Sequence, residues 1–207
     1  MALDNNPSVI KRGLLRFGQA KIDGLAAAQW FIENAAELAV DDSRITISGA
    51  SAGACLTASV ILQLRDRGQL AGIRNILVYP ILHSSLPEFA AELEQRIAEV
   101  PPQLIFSRDD TKWINSNLGY ETAEASFHCF PGDSENHSGI TETLIINSEY
   151  DSLRASGERY FEQLKAAGVA VKQVTALGAI HGHLNWYPAD CAPMEETLQQ
   201  MTEFISR

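Results

Sequence analysis

Apolar residues along this chain of 207 residues alternate between helical spacing and short continuous runs. Apolar residues recur at the spacing of an amphipathic or buried helix in five segments: 22–40, 55–64, 89–100, 157–167 and 190–205. Short runs of β-branched and other apolar residues predict four buried strands: 45–47, 73–79, 143–148 and 169–177. The pattern therefore predicts strands that alternate with helices.

Alternating strands and helices predict a parallel sheet with helices on both faces, which is the α/β class. Residues 84–138 interrupt the alternation, because they carry scattered Pro, Ser, Asp and aromatic residues, helical patches and no strand pattern. We expect this segment to be a lid-like insertion within one domain that spans residues 1–207. A chain of this length can bury a sizeable core.

Charge and composition narrow the expected partners. The 26 acidic and 16 basic residues give a net charge of −10, whereas a nucleic-acid partner requires a basic face. No apolar run approaches the roughly 18 residues that span a bilayer. Residues 1–7 lack the pattern of a secretory signal, so we expect a cytoplasmic protein. The three cysteines, Cys55, Cys129 and Cys191, fit neither a disulfide framework nor a zinc spacing, and we expect reduced thiols.

A Gly-x-Ser-x-Gly pattern at residues 49–53 lies between a predicted strand and a predicted helix. A serine at such a sharp turn presents its hydroxyl above the sheet, which predicts that Ser51 is a nucleophile. We expect Gly49 and Gly53 to leave room for neighbouring backbone. The amide of Ala52 would face a developing oxyanion at the positive end of the helix dipole. The alternative is an incidental glycine-rich turn.

A serine nucleophile requires a base within hydrogen-bond reach. Of the five histidines, His181 lies in a loop after the last predicted strand, as expected for the chain order Ser, Asp, His. His183, two residues further on, is the main alternative. His128 and His137 fall within the predicted insertion and are expected on the surface, and His83 is expected to be structural.

Asp151 directly follows the third predicted strand and is the predicted partner of the imidazole. Glu149 is the alternative carboxylate, and a helix N-cap is the alternative role of Asp151. Ser51, Asp151 and His181 each follow a predicted strand, where the catalytic groups of such sheets gather. The segment around His181 lacks the carboxylate and cysteine spacing of a metal site, and no Walker-type loop is present. We therefore expect no metal and no cofactor.

Several motifs in the right order resemble the bacterial hormone-sensitive-lipase-like carboxylesterases, which have the α/β-hydrolase fold. The resemblance covers roughly residues 21–207 and rests on these segments: 42–53, 79–80, 151–154, 157–160, 168–169 and 181–182. It implies hydrolysis of short-chain carboxylic esters through an acyl-serine intermediate, without a cofactor. It also implies that Ser51 is the nucleophile, His181 the base, Asp151 its orienting partner and Ala52 one oxyanion donor. A thioesterase, peptidase or lactonase on the same fold is an alternative, because one triad serves all acyl transfers.

The sequence departs from this family ahead of Ser51. The family carries a His-Gly-Gly-Gly motif there, preceded by several strands, whereas this sequence has only Gly13, Gly18, Gly24 and Gly49 before the serine. We therefore expect the first strands of the fold to be missing and residues 45–48 to form an exposed sheet edge, which favours self-association. The alternative function is a truncated, catalytically impaired remnant that acts as a binding or dimerising module.

Overall fold

Four parallel strands form the central sheet of the protein. A computed structural model describes residues 7–117, 129–186 and 192–207. The strands are β1 (Ile45–Ala50), β2 (Ile73–Val78), β3 (Thr143–Tyr150) and β4 (Val171–Ile180), and they lie in chain order β1-β2-β3-β4. All three strand pairs are parallel, as the sequence predicts.

Seven α-helices accompany these strands in the described residues: α1 (Pro7–Glu33), α2 (Ala52–Asp66), α3 (Ala91–Ala98), α4 (Arg108–Asn117), α5 (Arg154–Ala166), α6 (His183–Trp186) and α7 (Ala192–Ile205). The prediction of a first helix over 22–40 is wrong at both ends. The helix begins at Pro7, a residue suited to a first helical position. It ends at Glu33, and the next residue, Asn34, donates from its side chain to the Trp30 carbonyl at 2.7 Å.

The two faces of the sheet belong to two apolar clusters. Alternate residues of a strand point to opposite faces, so Leu77 and Ile145 pack with helices α1, α2 and α5. Their neighbours Ile76 and Leu144 pack on the other face with Phe204 of α7. The sheet is therefore the middle of three layers, with helices packed on both of its faces.

Strand β1 is an edge strand among the described residues, because it pairs only with β2. Its burial agrees with this position. Ile45 is buried, the other residues of β1 are half-buried or exposed, and strand β3 has six fully buried residues in sequence. The edge position predicted for residues 45–48 is confirmed for the described part of the chain, but only Ser48 among them is exposed and Ile45 is buried.

The described residues of the predicted insertion, 84–117 and 129–138, contain helices α3 and α4 and no strand. Short 3-10 turns at Pro102–Leu104 and Pro131–Asp133 complete this segment. The search for membrane spans covered the described residues, and no helix among them is both long and apolar enough to cross a bilayer.

Candidate active site

The turn between β1 and α2 holds Ser51 in an unusual backbone conformation. Its φ of 56° and ψ of −120° are rarely adopted by a non-glycine residue. The Ser51 amide donates to the Val78 carbonyl at 2.9 Å, which ties the turn to β2. The serine thus sits directly after the strand and before the helix, as a nucleophile elbow requires.

The two glycines of this turn have different roles. A Cβ at Gly49 would collide with the backbone carbonyl of Gly53 and with the Thr57 side chain, so only glycine fits there. A Cβ at Gly53 would meet nothing within 4 Å. The expectation that Gly53 also leaves room for neighbouring backbone is therefore wrong, because its own carbonyl is the group that Gly49 must clear.

Ser51, His181 and Asp151 form one continuous chain of hydrogen bonds. Ser51 Oγ lies 2.9 Å from His181 Nε2, and His181 Nδ1 lies 2.7 Å from Asp151 Oδ2. Because a carboxylate only accepts, Nδ1 carries the proton and Nε2 is left to accept from the serine hydroxyl. This is the tautomer that allows the imidazole to take the serine proton.

Asp151 is fixed by a second contact and almost removed from water. Its side chain is 1% exposed, and its other oxygen, Oδ1, accepts from the Leu153 amide at 2.9 Å. With both oxygens engaged, the carboxylate cannot rotate without losing a hydrogen bond. The Asp–His contact is therefore preorganised.

Glu149, the alternative carboxylate, makes no contact with His181 that the structure shows. It instead supports the histidine loop, which is the segment from Gly178 to His183. Its Oε2 accepts from the Gly178 amide at 2.7 Å, and its Oε1 pairs with Arg96 of α3 at 3.2 Å. Gly178 lies in an irregularity of β4, where the pairing with β3 shifts before Ile180. Such a bulge re-aims the residues that follow it, and the next residue is His181.

Two aromatic rings hold the His181 imidazole from its sides. Tyr79 and Phe106 each make an edge contact at 5.1 Å between ring centroids. The carbonyl of Phe106 accepts from Ser152 Oγ at 2.7 Å, next to Asp151. Sequence reasoning did not find the role of Phe106, because the residue lies far along the chain in the insertion. The sequence marks Tyr79 only through the family resemblance of residues 79–80.

His183, the alternative base, lies in different surroundings from His181. Its side chain is fully buried, and its two ring nitrogens lie 3.0 Å from Ser148 Oγ and 2.8 Å from Thr197 Oγ1. Burial lowers the pKa of His183 to about 4. Both nitrogens are thus engaged away from Ser51, and the structure places His181, not His183, at the serine.

The remaining histidines and cysteines lie in other surroundings. His137 is buried, with Nε2 at 3.1 Å from the Pro131 carbonyl, so the expectation of a surface residue is wrong. His83 is also buried, and its Nδ1 lies 2.8 Å from Ser156 Oγ. Cys55 and Cys129 are buried free thiols. His128 and Cys191 lie outside the described residues.

A small apolar cavity adjoins the imidazole. It has a volume of about 180 Å³ and is lined by Gln103, Leu104, Ile105, Phe106, Ile180 and His181.

Ala52, the expected oxyanion donor, is the first residue of α2, and the first amides of a helix have no partner within it. Across the described residues, no group of three or more His, Cys, Asp or Glu side chains could hold a metal ion.

Comparison with known proteins identifies the family. The family described as the alpha/beta hydrolase fold matches residues 15–185. The chain therefore belongs to the α/β-hydrolase fold family, and the resemblance predicted from its motifs is confirmed.

Individual relatives are named as esterases. The chain is 31% identical to esterase LipI of Mycobacterium tuberculosis, over 84% of this chain and 53% of LipI. It is 34% identical to carboxylesterase NlhH of the same organism, over 79% of this chain and 51% of NlhH. A hyperthermophilic esterase from the archaeon Pyrobaculum calidifontis aligns with a TM-score of 0.73 and 30% identity, over 88% of this chain and 59% of that one. The chain spans about half the length of the curated relatives it matches.

Proposed function

We propose that the protein hydrolyses small carboxylic esters through an acyl-serine intermediate. The observation that carries the proposal is the hydrogen-bonded chain from Ser51 through His181 to Asp151, with contacts of 2.9 and 2.7 Å. The relatives named as esterases and carboxylesterases support an ester as the substrate. A non-catalytic remnant would not require the aligned contacts of Ser51, His181 and Asp151, or a carboxylate with both oxygens engaged.

The proposed reaction has two similar halves. Ser51 Oγ attacks the ester carbonyl carbon while His181 Nε2 takes its proton, and the resulting oxyanion faces the Ala52 amide. The tetrahedral intermediate collapses, the imidazolium protonates the departing alcohol, and an acyl-serine remains. Water then attacks this ester with the same base, which releases the acid and restores Ser51. Asp151 holds the imidazole and stabilises its charged form without taking the proton.

The cavity beside His181 supports a small substrate. Its volume of about 180 Å³ lies below the ~300–1,000 Å³ of pockets that enclose drug-sized ligands. Leu104 and Phe106 offer apolar surface there, since each is more than a third exposed. A short acyl or alcohol group fits such a site better than a long chain does.

The test is hydrolysis of p-nitrophenyl butyrate by the purified chain, with p-nitrophenyl dodecanoate as the long-chain comparison. We expect Ser51→Ala to reduce kcat/KM by roughly 10⁴-fold or more, and Ser206→Ala at the exposed C-terminus to change nothing. Equal rates for the wild type and Ser51→Ala would refute the proposal and favour the remnant.

Covalent labelling gives a second readout that does not need turnover. Loss of a single oxyanion donor typically costs about 10²–10³ in rate, so slow turnover alone does not show that a serine is inert. A fluorophosphonate probe reports the activated serine even when turnover is slow. We expect mass spectrometry to find the label on Ser51 in the wild type and in Ser206→Ala. Asp151→Asn is expected to label far more slowly.

A further inference from the structure

We propose that His183 is a positioning residue that clamps the histidine loop to β3 and to α7 and so holds His181 against Asp151. This inference rests on the proposed function of the same site. It assigns a role to an imidazole that the reaction itself does not use.

The first step of the argument is that His183 joins three segments of the chain. Its Nδ1 lies 3.0 Å from Ser148 Oγ on β3, and its Nε2 lies 2.8 Å from Thr197 Oγ1 on α7. A neutral imidazole offers one donor and one acceptor, and each hydroxyl can take the complementary part. All three side chains are at most 1% exposed, so every polar atom in the clamp depends on the others.

The second step is that the hydrogen bond between His183 and Ser148 joins the two segments that carry His181 and Asp151. Ser148 lies three residues before Asp151 in the sequence, and His183 lies two residues after His181. Holding Ser148 to His183 therefore fixes the end of β3 relative to the loop, independently of the 2.7 Å bond between His181 and Asp151.

The third step is that the two imidazoles share one aromatic neighbour. The Tyr79 ring makes an edge contact with His181 and another with His183, both at 5.1 Å between centroids. Displacement of His183 would therefore also release the ring that packs against His181. Burial lowers the pKa of His183 to about 4, so the clamp is neutral at the pH of an esterase assay.

The test separates positioning from mere stability with two variants. His183→Phe fills the space but leaves the hydroxyls of Ser148 and Thr197 buried without partners, which destabilises the fold. The triple variant Ser148→Ala/His183→Phe/Thr197→Val removes those hydroxyls as well and makes room for the larger ring. Replacing all partners of a polar cluster by apolar groups is often nearly neutral for stability.

We expect His183→Phe to lower kcat roughly 10- to 100-fold, because misplacement by about 1 Å costs up to ~10²-fold, with KM changed less than about threefold. In the triple variant the Tm recovers, whereas kcat stays low. Recovery of kcat together with Tm would overturn the proposal, since a purely structural role predicts it. Should His183→Phe fail to fold, Thr197→Val with the triple variant provides the same comparison.

Proton NMR supplies a readout that does not depend on turnover. The Nδ1 proton shared by His181 and Asp151 is expected far downfield, and Asp151→Asn assigns it by abolishing it. We expect this resonance to be lost or strongly broadened in the triple variant, and an unchanged resonance there would overturn the proposal. If the wild type shows the resonance but neither turns over ester nor accepts the probe, the proposed function fails while the inference on His183 stands.

Discussion

The two halves of the site are held in different ways. On the side of β3 and β4, side chains do the positioning: Asp151 is anchored by the Leu153 amide, and Glu149 holds the Gly178 amide in the bulge before His181. On the side of β1, backbone groups position the serine. The Ser51 amide donates to a carbonyl of β2, and helix α2 begins without a side-chain cap.

Burial follows the same division. Asp151 is 2% exposed at the end of β3, which pairs on both sides, and His183 is fully buried although it follows the edge strand β4. Ser51 is half-buried at the end of an edge strand whose Ser48 is exposed. The side-chain half, with Asp151 and the histidines, should therefore lose activity when a single polar group is removed. The backbone half, with Ser51, should instead lose stability when any bulk is added to its turn.

The largest effect is expected from Asp151→Asn in the side-chain half. An amide at this position donates as well as accepts, so it permits the wrong imidazole tautomer, with the Nε2 proton facing Ser51. We expect kcat to fall by about 10⁴-fold with little change in structure. Steady-state hydrolysis of p-nitrophenyl butyrate measures the loss, and circular dichroism checks the fold.

Glu149→Gln is the matched control for that carboxylate. Glutamine keeps an oxygen that can accept from Gly178, and it gives up only the charge that pairs with Arg96 at 3.2 Å. Because Arg96 is 38% exposed, the pair contributes little in water, and we expect a change of less than about tenfold. If Glu149→Gln loses as much activity as Asp151→Asn, the assignment of Asp151 is wrong.

The next effect is expected from Gly49→Ala in the backbone half. The new methyl group would collide with the Gly53 carbonyl, which cannot move without breaking the turn. Overpacking usually costs 1–3 kcal/mol, and a clash with backbone should reach about 3 kcal/mol or more. Urea unfolding measures the change in the free energy of unfolding.

Gly53→Ala is the control for the same motif. Its Cβ would meet nothing within 4 Å, and alanine is favoured over glycine inside a helix by up to ~1 kcal/mol. We expect this variant to be as stable as the wild type or slightly more so. Equal destabilisation by both substitutions would show that the motif needs glycine for backbone freedom at both positions rather than for close approach at one.

The sequence predicts the parts of the molecule that depend on local pattern. The alternation of strands and helices, the turn around Ser51 and the strand-end positions of Asp151 and His181 are all encoded within a few neighbouring residues. A parallel sheet gathers its strand ends on one side, and the family match shows the fold. These features need no knowledge of distant contacts.

The features that sequence reasoning missed depend on contacts between distant segments. Phe106 of the insertion contacts the His181 ring, and its carbonyl accepts a hydrogen bond from Ser152. His137 is buried against helix α5, where its ring contacts Tyr160. The two glycines at 49 and 53 look equivalent as letters, and only the approach of one backbone to the other distinguishes them. No periodicity or spacing carries these signals.

A smaller effect than that of Gly49→Ala is expected from the side-chain half, as a loss of stability in acid. Burial lowers the pKa of His183 from 6.5 to about 4. The unfolded chain therefore binds more protons than the native state between these values. The stability that the neutral imidazole contributes is complete above pH 6.5 and falls as the pH drops towards 4.

Comparing the wild type with the Ser148→Ala/His183→Phe/Thr197→Val variant isolates this contribution. His83 and His137, whose pKa values are also lowered by burial, are present in both proteins and cancel. Urea unfolding at pH 7 and pH 5 should show that the wild type loses about 2 kcal/mol more than the variant. If the two proteins lose equal free energy of unfolding between pH 7 and pH 5, His183 is already protonated in the folded protein at pH 5. Water then reaches the side-chain half more readily than its burial indicates.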